Sequence, residues 1–171
     1  MIHKIVVSQF TKMLGNLSAI LDKAAAFAEP KKIDMDVLLN ARLAPDQFNL
    51  LRQIQIACDT ANLGAARLTG KEATTPSFPD SEKTLAEIKA RIASTIEILR
   101  KLSEADFADS ATRRISQPRW EGKTLSGEEF LIQHVVPNFY FHLTTAYAIL
   151  RHNGVDVGKK DYLGAMPYRA A

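Results

Sequence analysis

The sequence has a single cysteine, Cys58, so no disulfide can form within the chain. That usage suits a reducing compartment, and the expected location is cytoplasmic. The first residues, MIHKIVVSQFTKML, lack an unbroken apolar stretch followed by a small-residue cleavage site, the pattern of a secretory leader. No apolar run is long enough to span a bilayer, so no membrane partner is expected. Charge of neither sign is concentrated. Lys and Arg number 22 against 19 Asp and Glu, a net charge of +3, and the basic residues come at most in pairs such as Arg113–Arg114 and Lys159–Lys160. Without a basic block interleaved with aromatics, a nucleic-acid footprint is not expected.

What remains is the composition of a water-soluble folded chain: 171 residues, 46% hydrophobic and 24% charged. The length fits one domain, residues 1–171, with an ordinary core. Helical periodicity dominates. Over residues 2–27, Ile5, Val6, Phe10, Met13, Leu14, Leu17, Ile20 and Leu21 recur at threes and fours, ending before Pro30. Residues 31–43 read as a connection, with Asp34 and Asp36 two apart on a short strand or single turn, where carboxylates can hold a hard cation but usually face solvent. A second helix is expected to open at Pro45, a favoured first position, and to close at Gly70. Its seam is Leu51, Ile54, Cys58, Ala61, Ala65 and Leu68, with Gln55 and Asp59 beside it. After the polar loop KEATTPSFP, a third helix capped by Asp80 or Ser81 buries Leu85, Ile88, Ile92, Ile96, Leu99 and Leu102. Its wet side carries Glu82, Lys83, Glu87, Lys89 and Arg91, with Glu87 to Arg91 as a favourable i, i+4 pair.

The fourth helix, residues 126–153, organises the chain. Ser126 and Glu129 have capping-box spacing, and Gly154 suits its end. Three of the four histidines lie on it: His134, His142 and His152. His134, Asn138 and His142 follow one another four apart, on one face. Pro137 removes a backbone donor, and a kink is expected there. His134 reads as a bundle-end hydrogen bonder or part of a pocket rim. His152 reads as a cation at the carbonyl end of the helix. Between the third and fourth helices, residues 104–123 form a long link that could fold as a small hairpin, 113–117 with 119–124. The only tryptophan, Trp120, reads there as a satellite apolar cluster, with a pocket wall as the alternative. The tail after Gly154 reads as irregular, its last residues, 169–171, as frayed.

Four amphipathic helices with this long link describe an all-α, four-helix bundle. The segment FHLTTAYAILRHNGVDVGKKDYLG at 141–164, together with QIQIACD at 53–59 and the layout of nearly the whole chain, resembles the DinB-like (DinB/YfiT) helical-bundle superfamily, and within it a branch described as a domain of unknown function. The resemblance implies a divalent metal held by one histidine on the second helix and an HxxxH pair on the fourth. Some members are thiol-dependent transferases or isomerases. Carried onto this sequence, His142 matches the second histidine of the pair. Asn138 stands where the first would be. Asp59 or Gln55 lies nearest the depth of the second-helix ligand, so one of three ligands is retained by type. The expected site is therefore a reduced metal site of His142, Asp59 and Asn138, holding Zn, Ni, Fe or Mn with water completing the shell.

Two functions follow. In the first, Asp59, Asn138 and His142 line a hollow between the second and fourth helices, and the protein is a metal-dependent transferase or hydrolase of a small molecule, or uses His142 as a base oriented by Asp59. In the second, His142 hydrogen-bonds Asp59 as a buried pair that sets helix register, and the protein is a non-catalytic dimeric bundle acting as a binding or structural module. A homodimer is implied by the resemblance.

Overall fold

Amphipathic stripes at helical spacing produce long helices that pack their apolar faces together, and the computed structural model shows this over residues 1–169. The first helix begins as a π-helical segment, Lys4–Gln9, and continues as α1, Phe10–Ala28. The remaining helices are α2 (Met35–Asn40), α3 (Leu50–Thr69), α4 (Leu85–Arg100), α5 (Gly127–Phe130), α6 (Val136–His152) and α7 (Lys159–Leu163). A π-helical turn, Leu131–Val135, joins α5 to α6, so the three run as one long helical element. The four long helices form an all-α bundle in which α3 packs against both α6 and α4, and α1 against α4 and α6. No helix among the described residues is long and apolar enough to cross a membrane.

The core is built from the apolar faces of these helices. Phe10, Leu14, Leu17 and Leu21 of α1, Ile54, Ala57, Cys58, Ala61 and Leu68 of α3, and Phe139, Leu143, Ile149 and Leu150 of α6 are buried in one cluster. Burying each large apolar side chain stabilises the fold by roughly 1.5–3 kcal/mol. Phe10 stacks on Phe139 with ring centroids 4.2 Å apart, tying α1 to α6. Small residues on α3 let α6 approach closely: a Cβ on Gly64 would stand 2.9 Å from Val135 Cγ1.

Several local expectations are corrected. Pro45 does not open a helix; α3 starts at Leu50, because Asn49 caps it by accepting from the Arg52 amide at 3.0 Å. The α4 cap is Thr84, not Asp80 or Ser81, and Glu87 completes a capping box by accepting from the Thr84 amide at 2.9 Å. Glu87 is thereby committed to the cap, and Arg91 lies inside the protein rather than on the wet side. Asp34 caps the short helix α2, accepting from the Asp36 amide. The tail after Gly154 is not wholly irregular, since Lys159–Leu163 is helical. Asp161 secures that turn by accepting from the Gly158 amide and pairing with Lys23 at 2.7 Å. The fraying expected at the end falls partly on positions 170 and 171, outside the described residues.

At Pro137 the structure has its own answer to the missing donor. The proline occupies the second position of α6, and the wider π-helical turn immediately before it makes room for the ring. Ser126 caps the assembly as its spacing predicts, with the Glu129 carboxylate on the Ser126 amide at 2.8 Å. The link does contain a hairpin. Its strands are β1, Arg114–Ile115, and β2, Leu125–Ser126, antiparallel with Ile115 opposite Leu125, so the second strand lies further along than expected.

Candidate functional site

Three contacts set the pairing of α3 with α6. Gln53 meets His142, Thr60 meets Asn138, and Gly64 faces Val135. Rising numbers on one helix meet falling numbers on the other, so the two run antiparallel. This pairing determines which polar side chains can share a space.

His142 is buried on α6, and its Nδ1 lies 2.7 Å from Oε1 of Gln53. The Gln53 amide nitrogen donates to the Phe48 carbonyl at 3.0 Å, which orients the oxygen toward the histidine. An amide oxygen only accepts, so His142 carries its proton on Nδ1, and Nε2 keeps the lone pair. Burial, with the nearby Arg52 guanidinium, pushes His142 down to about 4, so the imidazole is neutral at pH 7.

Asp59 turns toward α4. Its carboxylate accepts from the Arg91 guanidinium at 2.6 Å. Arg91 is buried and also holds Asp80 and Glu82, each at 3.1 Å, while its guanidinium lies over the Phe78 ring at 5.3 Å. Glu82 in turn accepts from Gln55 at 3.0 Å. Burial raises the Asp59 carboxyl above its ordinary value against the pull of Arg91. Gln55, Asp59 and Arg91 therefore clamp α3, α4 and the loop before α4 around one buried guanidinium.

The expected pairing of His142 with Asp59 is corrected. Gln53, the actual partner of His142, lies six residues before Asp59, about 9 Å along the helix axis and roughly 240° around it. The two side chains consequently belong to different levels of the bundle. Asn138 takes a third partner, donating to the Thr60 hydroxyl at 2.7 Å.

These three do not fit a divalent ion as they stand. The Asp59 carboxylate is held by Arg91, the Asn138 amide is directed at Thr60, and Arg52 adds positive charge beside His142. Among the described residues no three His, Cys, Asp or Glu side chains gather as metal ligands. Asp59 and Asn138 nonetheless share a hollow. It has a volume of about 150 Å³ and is lined by Thr60, Leu63, Gly64, Arg67, Gln117, Arg119, Phe130, His134 and Val135 as well as these two. His142 is not among its walls.

His134 sits in this hollow rather than at a bundle end. It stacks on Phe130 at 5.4 Å, meets Trp120 edge-on at 5.8 Å, and its Nε2 lies 3.3 Å from the Arg119 guanidinium. Arginine can only donate, so Nε2 accepts and the ring is neutral. Burial, Arg119 and Arg67 together hold His134 below its ordinary value. Trp120 also packs edge-on to Phe130 at 6.0 Å and lines a second hollow, of about 380 Å³, with Arg119, Lys123 and Leu125.

The site residues missed in the sequence are Arg67, Gln117 and Arg119. The arginines read as scattered surface charge, and Gln117 as part of a turn. Gln53, Thr60 and Gly64 left a trace, because they recur at helical spacing along the face of α3 that meets the fourth helical element.

Comparison with curated proteins gives no match. The crystal structure of a DinB family member protein from Shewanella denitrificans is 67% identical in sequence, with TM-score 0.98, covering 100% of this chain and 96% of that one. A family model described as a domain of unknown function, DUF1993, matches residues 2–163. A match over nearly the whole chain, together with a DinB family member of the same architecture, places the protein: it belongs to the DUF1993 family, among the DinB-like helical bundles.

Proposed function

We infer that the protein binds a small molecule in the hollow between α3 and α6. The observation that carries this reading is the convergence there of Asp59, Thr60, Arg67, Arg119, His134 and Asn138, drawn from two helices and the link, beside the apolar walls Leu63 and Phe130. Recessed polar groups from separate elements, set among apolar walls, are the usual makings of a ligand site. A ligand at a hundred times its dissociation constant stabilises the folded state by about 2.7 kcal/mol, roughly 5–10 °C in midpoint for a chain of this size. Thermal unfolding against a panel of small metabolites should give such shifts. They should vanish in Leu63→Phe, which adds bulk to the wall, and in Asn138→Leu. Shifts that persist in both variants would put the ligand elsewhere.

The reading as a metal-dependent transferase or hydrolase draws on one feature. His142 presents a free Nε2 while Gln53 holds its Nδ1 proton, as outer-shell partners of metal-bound histidines do. Elemental analysis of untagged protein tests it. Near-stoichiometric Zn, Ni, Fe or Mn that is lost in His142→Ala favours a metal, and its absence from the wild type removes the reading. The alternative, a dimeric non-catalytic module, is favoured by the exposed aromatics Phe48 and Phe141. Sedimentation should then show a dimer that Phe141→Glu dissociates.

A further inference from the structure

The walls of the hollow carry two guanidiniums, Arg67 and Arg119, against one carboxylate. That carboxylate, Asp59, is engaged by Arg91 on α4. Arg67 is half-buried. Burial lowers its pKa, Glu72 works against that, and the Arg119 charge lowers it further. Neither Arg67 nor Arg119 is within ion-pair distance of a carboxylate among the described residues, and the single hydrogen bond of Arg119 is to neutral His134. Two guanidiniums near enough to repel each other leave unfavourable charge that a bound anion would relieve.

A second, independent observation points the same way. Gln117 lines the hollow and is about nine-tenths buried, yet its Nε2 has no hydrogen-bond partner among the described residues. A buried amide donor left unmade costs roughly 1–3 kcal/mol, and a turn of the Gln117 side chain toward an acceptor in the hollow would recover it. Thr60 adds another donor: its oxygen accepts from Asn138, and its own hydroxyl hydrogen has no acceptor among the described residues.

We propose that the hollow binds the terminal oxyanion group, carboxylate or phosphate, of a small molecule, with Arg67 and Arg119 supplying charge and Gln117 Nε2 and the Thr60 hydroxyl donating hydrogen bonds. Guanidiniums suit either group because their planar fork matches two oxygens at once. A volume of about 150 Å³ accommodates an anionic head, not a whole nucleotide. Arg119 also lines the adjoining hollow beside Trp120, which leaves room for the rest of the molecule. This rests on the small-molecule reading above and adds the chemical class of the ligand.

Trp120, the only tryptophan, stands 5.8 Å from His134 and serves as the reporter. Inorganic phosphate and acetate are titrated separately into the full chain at constant ionic strength, with chloride and neutral acetamide as controls, following Trp120 fluorescence and the thermal midpoint. Saturable binding of phosphate, of acetate or of both, absent with acetamide, is the expected result. Phosphate alone assigns phosphate esters, and acetate alone assigns carboxylic acids. Arg119→Met, at an exposed position, and Arg67→Met should each weaken binding at least tenfold, and Thr60→Val a few-fold. Far-UV circular dichroism confirms that each variant folds. Responses no different from chloride, or equal in wild type and Arg119→Met, overturn the proposal. Neutral compounds that still shift the wild type but not Leu63→Phe would leave the hollow a ligand site while removing the anionic class.

Discussion

His142 shows how a single buried ring ties stability to pH. Its folded pKa, about 4, lies below the ordinary value of 6.5, so the folded protein keeps the ring neutral while the unfolded chain protonates it. The contribution is complete above pH 6.5 and is lost as pH falls toward 4. Discounting for partial solvent screening, the loss should be on the order of 2 kcal/mol. Urea denaturation at pH 7 and pH 4.5 measures it, and the difference between wild type and His142→Gln isolates this ring from titrating carboxylates. A wild type and variant that lose stability in parallel would mean that His142 is not desolvated. Cys58 makes the contrast. Burial pushes its thiol up to about 12, so it behaves as a small apolar side chain on the seam of α3. Arg91 is the residue whose role periodicity misread. Its spacing put it among the charges of α4, but three carboxylates from α3 and the preceding loop draw it inward.

Among elements, the joins are set by where backbones come close. A Cβ on Gly127 would overlap the Ser110 carbonyl oxygen, a rigid backbone atom, at the point where the link meets α5. On Gly64 it would press on Val135 at 2.9 Å, a side chain that can shift only slightly. Gly127→Ala should therefore cost about 3 kcal/mol or more, and Gly64→Ala about 1–2 kcal/mol, by overpacking. Val135→Ala in the Gly64→Ala background should return part of the loss, while no side-chain truncation should rescue Gly127→Ala. Guanidinium denaturation of the four variants checks both statements. Neither contact was legible in advance, since each joins residues far apart in the chain. The Ser126 cap was legible, because donor and acceptor lie three residues apart and the geometry is local.

At the scale of the molecule, one apolar cluster runs through all four long helices and reaches the hairpin at Ile115. Trp120 packs against it through Phe130. Unfolding followed by Trp120 fluorescence should accordingly coincide with unfolding followed by helical circular dichroism, as a cooperative unit requires. A fluorescence transition that comes first would show the link opening apart from the bundle.

The bundle itself was determined by the amino-acid sequence alone, because apolar residues at threes and fours can be buried only by packing helices together. The fourth-helix cap followed from the same local regularities, and the DinB-like layout from the resemblance carried by residues 53–59 and 141–164. The candidate hollow was decided only by tertiary structure. It depends on the register of α3 against α6, on a link that brings Gln117 and Arg119 to the hollow, and on Arg91 of α4 holding Asp59. Each of these is a contact between residues distant in the chain, where spacing along the sequence carries no information about direction in space.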